Sequence, residues 1–252
     1  MDKQSALEQL VAMSHYLGDP GRTYAILGEG NTSARIDGDT FYVKASGTSL
    51  GTMGEKDFLE VSISKVTAIL DDPSATDADV AANLRASLID PEEQRMPSVE
   101  TMMHALLYQY PEYNFIGHTH PVSVNALMCS LHAKEAAEGR LCPDHVVVLG
   151  HKSVFVPYVD PGLVLAREVR ARVRRYVEEE GVLPKTLMLE NHGIFALGPN
   201  VKTVTNVTDM GEKMAKVLIG AYSIGGPKFM TEADIRRIDN RPDEKYRQKV
   251  IA

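Results

Sequence analysis

The chain has 252 residues, 44% of them hydrophobic, and a formal net charge of -7; that length and apolar content suffice for the core of one large α/β domain. The acidic balance and the lack of clustered Lys and Arg exclude a nucleic-acid partner, which needs grouped positive charge to neutralise phosphates. Only Cys129 and Cys142 occur, without a Cys-x-x-Cys pair, no run approaches the ~18 apolar residues of a membrane span, and the opening MDKQSALEQL is polar where an export signal is basic and then apolar, so a soluble protein in a reducing, cytoplasmic setting is expected.

Residues 5–17 carry apolar side chains at helical spacing, and Gly18, Asp19, Pro20 and Gly21 end that pattern with turn chemistry. Residues 34–44 read as a hairpin turning at Asp37, Gly38 and Asp39, flanked by glycine-containing loops at 28–33 and 45–51. Helical patterns follow at 63–70, 79–89 and 98–110, the last with Ser98 as its cap and Val99, Met102, Met103, Leu106, Leu107 and Tyr110 on one stripe. Residues 114–120 read as a strand ending in His118, Thr119 and His120, after which Pro121 opens a helix toward Ser130. The apolar runs 146–149 and 154–157 read as short strands, and 163–180 as an amphipathic helix. Strands are expected at 186–190 and 194–197, around Asn191, His192 and Gly193. A long helix over 201–222 precedes Gly225, Gly226 and Pro227 and a charged C-terminal tail from about 227. No repeat or linker divides residues 1–252, so a single domain is expected: a sheet flanked by helices, and not a barrel, because the strands and helices alternate irregularly.

Chemistry concentrates in few places. His118 and His120 stand at i and i+2, so on a strand both imidazoles leave from one face and can converge on one ion. Zinc suits imidazole donors, and catalytic zinc takes three protein ligands with one position left open. His192, beside Gly193 at a break in a β-rich run, is the best third ligand. The same His-x-His spacing also arises from histidines satisfied by backbone partners. Glu100, in the first turn after Ser98, either complements the helix dipole or serves as a proton-transfer base beside a metal-held hydroxyketone. Loop 28–33 lacks the third glycine of a dinucleotide fingerprint and the Gly-Lys-Ser/Thr of a Walker loop, which disfavours nucleotides. Asn31, Ser33, Ser46, Thr48 and Ser98 can either cradle a phosphate or carboxylate or belong to ordinary turns.

Taken in order, Gly30-Asn31-Thr32-Ser33, Ala45-Ser46-Gly47-Thr48, Pro97-Ser98-Val99-Glu100, His118-Thr119-His120 and Asn191-His192-Gly193 resemble the class II aldolase/adducin family over about residues 5–222. The resemblance implies a three-layer α/β/α sandwich with a largely antiparallel sheet, and Zn2+ (with Mn2+ or Co2+ as alternatives) on His118, His120 and His192. It also implies Glu100 as acid/base, Asn31, Ser46, Gly47 and Ser98 as the substrate's anion pocket, and a homotetramer with its active sites between subunits. The implied activity is reversible aldol cleavage of a ketose, ketose phosphate or sugar acid through a zinc-stabilised enediolate. A 4-epimerase or decarboxylase on the same scaffold and a non-catalytic adducin-like module are the alternatives. Two departures stand out. Val99 replaces a second serine of the phosphate pocket, and where aldolases of the family place a tyrosine ahead of Pro157 and Tyr158 this chain has Asp144 and His145, either of which is a candidate second acid/base. Tyr246, in the charged tail, is a candidate to reach a neighbouring site.

Overall fold

The structure is a computed structural model and describes residues 2–251. Helix α1 (Lys3–Leu17) starts where the Asp2 carboxylate accepts the Ser5 amide and stops at Gly18, whose Cβ would lie 2.2 Å from the Gly51 nitrogen. Strands β1 (Asn31–Arg35) and β2 (Thr40–Lys44) form the expected hairpin, with the Asp37 carboxylate accepting the Asp39 and Thr40 amides in the turn. Next come β3 (Phe58–Ser62), α2 (Ile63–Asp71), α3 (Asp77–Ser87), the short α4 (Thr101–Leu107), β4 (Phe115–Thr119), α5 (Val122–Met128) and α6 (Ala133–Glu138). The remainder is α7 (Pro143–Leu149), β5 (Val154–Val156), α8 (Leu163–Glu180), β6 (Thr186–Leu189), β7 (Gly193–Gly198), α9 (Val201–Ser223), α10 (Glu232–Asn240) and α11 (Pro242–Ile251).

The seven strands make one sheet in the order β3-β2-β1-β4-β7-β6-β5, antiparallel throughout except for the β5–β6 pair. The two-residue period of the strands sorts their side chains into two cores. Ile116, Leu187, Leu189, Phe195 and Leu197 join α2, α3, α4 and α8 on one face. Phe115, Met188, Ile194 and Ala196 join α1, α5, α6 and α9 on the other. Helices on both faces of a mostly antiparallel sheet are the expected three-layer α/β/α sandwich. Gly117 faces α1 and α9, where a Cβ would come within 2.9 Å of Leu17 and Val204. By the same alternation its neighbours Ile116 and His118 face α4.

Three local expectations are corrected. Residues 146–149, read as a strand from Val146, Val147, Val148 and Leu149, are the end of α7, started by Pro143 at a first-turn position that needs no amide. That run is apolar all round because α7 is enclosed by α9, α10 and α11. The segment after residue 227 folds as α10 and α11, with α10 begun by a Thr231 cap on the Asp234 amide. The helix expected over 98–110 is only α4, because Ser98 to Glu100 form a separate turn in which the Ser98 hydroxyl accepts the Glu100 amide at 3.3 Å. Strand β3 and helix α6 had no counterpart among the expected elements.

Candidate metal centre

His118, His120 and His192 converge. Their ligand atoms all lie within 4.8 Å of one another, His118 fully buried and the other two partly so. Strand β4 supplies the first two by its alternation, and the His120 amide donates to the Tyr24 carbonyl at 2.7 Å, which holds the chain extended just past the strand end. His192 arrives on the tight turn joining β6 to β7. There Asn191 takes a left-handed φ of 54°, and its amide donates to the Met128 carbonyl at 3.0 Å. Gly193 must be glycine for space, since a Cβ would stand 2.5 Å from the Thr119 carbonyl oxygen and 2.6 Å from the His120 ring.

The donor set fits a divalent ion. His118 Nδ1 donates to the Ile194 carbonyl at 3.0 Å, which makes Nε2 the ring atom that faces the cluster, and the ring stacks on Phe195 at 4.2 Å. His118 Nε2 and His120 Nε2 are 3.1 Å apart, close to the roughly 3.3 Å that separates two nitrogens each about 2.05 Å from a tetrahedral zinc. Burial, then the neighbouring His118 and His192, lower the pKa of His120 to about 3, so it stays an unprotonated donor.

Glu100 faces the same cluster. Its Oε1 is 3.3 Å from His118 Nε2 and 3.0 Å from His192 Nε2, and the side chain keeps 19% of its exposure. Burial pushes its carboxyl pKa upward, but the charge and hydrogen bonds of His118 and His192 outweigh that and hold it well below the ordinary carboxylate range. An ionised carboxylate whose free edge meets the ligand side of three imidazoles can take a proton from a bound carbon acid and return it. The other oxygen, Oε2, is held by the Asn31 amide, which also reaches Ser98 Oγ at 3.4 Å. Asn31 and His118 are register partners across β1 and β4, so the sheet itself brings Asn31 here.

The two glycine loops adjoin this recess. An isolated antiparallel bridge joins Ala45 to Pro97, and the Ser46 amide donates to the Met96 carbonyl at 2.8 Å, which sets Ser46 and Gly47 beside Ser98. Gly47 has φ 82° and open space above it. Sequence reasoning missed Lys44, only 2% exposed, whose Nζ donates to the Gly28 carbonyl at 3.1 Å and whose pKa burial lowers while Glu100 raises it. A lysine closing an otherwise β-forming run just before a Ser-Gly turn was the available signal. It also missed His104, fully buried behind Asn31.

The other candidates lie elsewhere. Asp144, at the start of α7, pairs with Arg247 at 2.5 Å and lines a cavity of about 340 Å³ with Asn206, Asp209, Lys213 and Arg247. Tyr246 on α11 is 71% exposed. His145 is buried, with Nδ1 accepting the Leu141 amide at 3.3 Å. No contact among the described residues joins Asp144, His145 or Tyr246 to the three histidines.

Residues 8–219 match the model of the class II aldolase and adducin N-terminal domain. The chain belongs to the class II aldolase and adducin family. An uncharacterised oxidoreductase of Bacillus subtilis is 29% identical over 205 residues, covering 78% of this chain but 27% of that protein. The 3-oxo-tetronate 4-phosphate decarboxylase of Haemophilus influenzae is 25% identical over 225 residues, covering 87% of this chain and 90% of the relative. A methylthioribulose-1-phosphate dehydratase of Cronobacter sakazakii is 34% identical over 128 residues, covering 50% of each. The chain therefore spans about a quarter and about half of the length of the first and third of these relatives. Among solved structures, the N-terminal class II aldolase domain of a Thermoplasma acidophilum protein superposes with TM-score 0.69 at 25% identity, over 87% of this chain and 96% of that one. An L-fuculose 1-phosphate aldolase superposes with TM-score 0.70 at 19% identity over 98% of both chains, a likeness of fold. No helix among the described residues is long and apolar enough to cross a membrane.

Proposed function

We propose that this family member is a divalent-metal-dependent carbon–carbon lyase. In this reading it reversibly cleaves a ketose, ketose phosphate or sugar acid, with His118, His120 and His192 as ligands and Glu100 as acid/base. The observation that carries it is the Glu100 carboxylate, held ionised 3.0 and 3.3 Å from two of the imidazole nitrogens. A bound Zn2+, Mn2+ or Co2+ supplies Lewis-acid charge, which makes an electron-rich enediolate of the substrate tolerable. Glu100 then acts on carbon. When the carbon–carbon bond breaks, the aldehyde departs and the bonding pair stays with the enediolate; the proton given up by the cleaved hydroxyl passes through a second group and solvent to Glu100, and the Glu100 carboxyl so formed delivers it to the enediolate carbon. In the reverse direction Glu100 removes that proton. Lys44 with Ser46, Gly47 and Ser98 offers one cation, hydroxyls and backbone amides to a carboxylate or phosphate on the substrate.

The proton of the cleaved hydroxyl needs a second group, and Asp144 and Tyr246 serve as candidates from a neighbouring copy in a homotetramer whose recesses lie between subunits. A decarboxylase reading is favoured by the Haemophilus relative, matched over nearly its whole length. There the leaving group is carbon dioxide in place of an aldehyde. Either activity proceeds in the cytoplasm, on one domain comprising residues 1–252.

Two measurements test the reading. Metal analysis of purified protein is expected to give about one divalent ion per chain, and a value far below that would favour a non-catalytic module. Small hydroxyketones, their phosphates and the corresponding keto acids, screened in deuterated water, are expected to exchange a carbon-bound proton in the metal-loaded wild type and not in Glu100→Gln. Exchange that survives the substitution removes Glu100 from its role. Product trapping separates aldehyde from carbon dioxide release.

A further inference from the structure

Behind Glu100, β1 and α4 hold a line of buried polar groups that the proposed chemistry does not use. Asn31 and Ser33 stand at i and i+2 on β1, and His104 and Tyr108 are one helical turn apart, His104 within α4 and Tyr108 capping its end. All four are at most 2% exposed. Tyr108 OH lies 2.8 Å from Ser33 Oγ, Ser33 Oγ lies 2.6 Å from His104 Nδ1, His104 Nε2 meets the Asn31 carbonyl, and the Asn31 amide nitrogen meets Glu100 Oε2.

Only one assignment of protons satisfies this line. The structure sets the Asn31 side-chain nitrogen against Glu100 Oε2 and its carbonyl against His104 Nε2, so the NH2 group donates to the carboxyl oxygen and the carbonyl accepts from His104. His104 Nε2 must then carry hydrogen. Burial, more than the nearby His118, lowers the His104 pKa to about 3, so the ring has a single proton and Nδ1 is a bare acceptor. The Ser33 hydroxyl therefore donates to Nδ1, and the Tyr108 hydroxyl has two acceptors within reach, Ser33 Oγ at 2.8 Å and the Asn114 carbonyl at 3.4 Å. Reversing the line would aim a carbonyl at the carboxylate and leave both oxygens unsatisfied in a buried setting, where such a loss is costly.

We propose that His104 is a positioning residue for Glu100: as its Nε2–H tautomer it fixes the orientation of Asn31, whose amide clamps Oε2 and leaves Oε1 as the oxygen presented to the histidines. The inference rests on the acid/base reading of Glu100 for its effect on rate, while the tautomer stands apart from it.

Two measurements separate these. The first is magic-angle-spinning NMR of metal-free protein labelled with 15N-histidine, His104 being assigned by loss of its signals in His104→Gln. His104 is expected to be protonated at Nε2 and bare at Nδ1 between about pH 5 and pH 8. An Nδ1–H tautomer or a doubly protonated ring overturns the proposal, whatever the enzyme's activity. The second uses dihydroxyacetone phosphate as probe for deuterium exchange in zinc-loaded protein. His104→Phe is expected to lower the exchange kcat roughly 10- to 100-fold with KM nearly unchanged. His104→Gln, which keeps a donor near the Nε2 position, is expected to recover part of that loss. A folded, zinc-replete His104→Phe exchanging at the wild-type rate overturns the positioning role, provided Glu100→Gln has abolished exchange. Should Glu100→Gln leave exchange intact or the probe fail to exchange, the acid/base reading fails, and the tautomer measurement alone decides the clamp. If His104→Phe does not fold, His104→Leu takes its place in the kinetic test, and the tautomer measurement stands whichever variant folds.

Discussion

At Gly193 a single methyl group has nowhere to go: the Thr119 carbonyl and the His120 ring lie 2.5 and 2.6 Å from where it would sit. Gly193→Ala must therefore push β7 from β4 or displace His120, an overpacking cost of about 1–3 kcal/mol. Both movements spoil the convergence of the three rings. We expect the variant to fold with a lowered Tm and to bind Zn2+ at least about 10-fold more weakly, as read by competition with a chromophoric chelator; wild-type affinity would mean that the recess yields more easily than the geometry implies. The residues around the cluster also rank by role. Ser98 offers one hydroxyl at the rim, whereas His192 is one of three donors. His192→Ala is expected to lose the ion and cut proton exchange by more than about 10²-fold. Ser98→Ala should raise KM for an anionic substrate and keep the metal content, and the reverse order of damage would displace His192 from the ligand set.

Elements position these residues, and helix α5 is the one nearest the ligands. It begins two residues after His120, and its first turn is capped by a residue distant in sequence. Glu212 on α9 accepts the Ser123 amide at 3.1 Å, the Ser123 hydroxyl at 2.8 Å and the Val124 amide at 3.2 Å. A carboxylate there satisfies amides at the helix N-terminus and complements its dipole. Glu212→Ala orphans three donors in a buried place and should cost about 1–3 kcal/mol. Because α5 anchors the chain leaving β4, zinc affinity should fall together with Tm, while Glu212→Gln should retain more of both. Calorimetry with and without Zn2+ reads the two effects. A Tm loss with unaltered affinity would uncouple α5 from the centre. Helix α7 illustrates the opposite direction of influence, from surroundings to element. Its run of β-branched residues favours a strand locally, yet Pro143 and enclosure by α9, α10 and α11 make it a helix.

For the whole molecule, buried histidines govern the response to acid. His104 is held to about 3 by burial and then by His118, and His120 to about 3 by burial and then by His118 and His192; His145 is held well below its usual value by burial and then by Arg140. All three are neutral when folded but take a proton near 6.5 when unfolded. The unfolded state therefore binds more protons below that value, and stability falls as the pH drops. Each histidine contributes about 1.4 kcal/mol per pH unit, from about 6.5 down to its folded pKa. Urea unfolding between about pH 7 and pH 5, in chelator so that metal binding does not intrude, should show this slope. His145→Met should remove one such share of it. A variant with the wild-type slope would show that His145 is not buried neutral.

What the amino-acid order determined by itself is whatever short-range geometry governs. The two-residue period of β4 put His118 and His120 on one face, the 3.6-residue period of α8 gave its bounds, and Asp37 with Gly38 made the first hairpin. Five short motifs in order carried the family and with it the sandwich. Strand β3 and helix α6 escaped because neither has a strong periodic signal, and α10 and α11 because their charged residues read as a tail. The tertiary structure alone decided what depends on distance in space. Pairing of β1 with β4 set Asn31 beside His118, and the turn after β6 brought His192 to them. Packing of α4 on the sheet turned Glu100 toward the ligands and buried His104 behind it. Hydrogen bonds and charge shifts act over a few ångströms between residues that lie dozens of positions apart, so only the folded chain brings them within reach of one another.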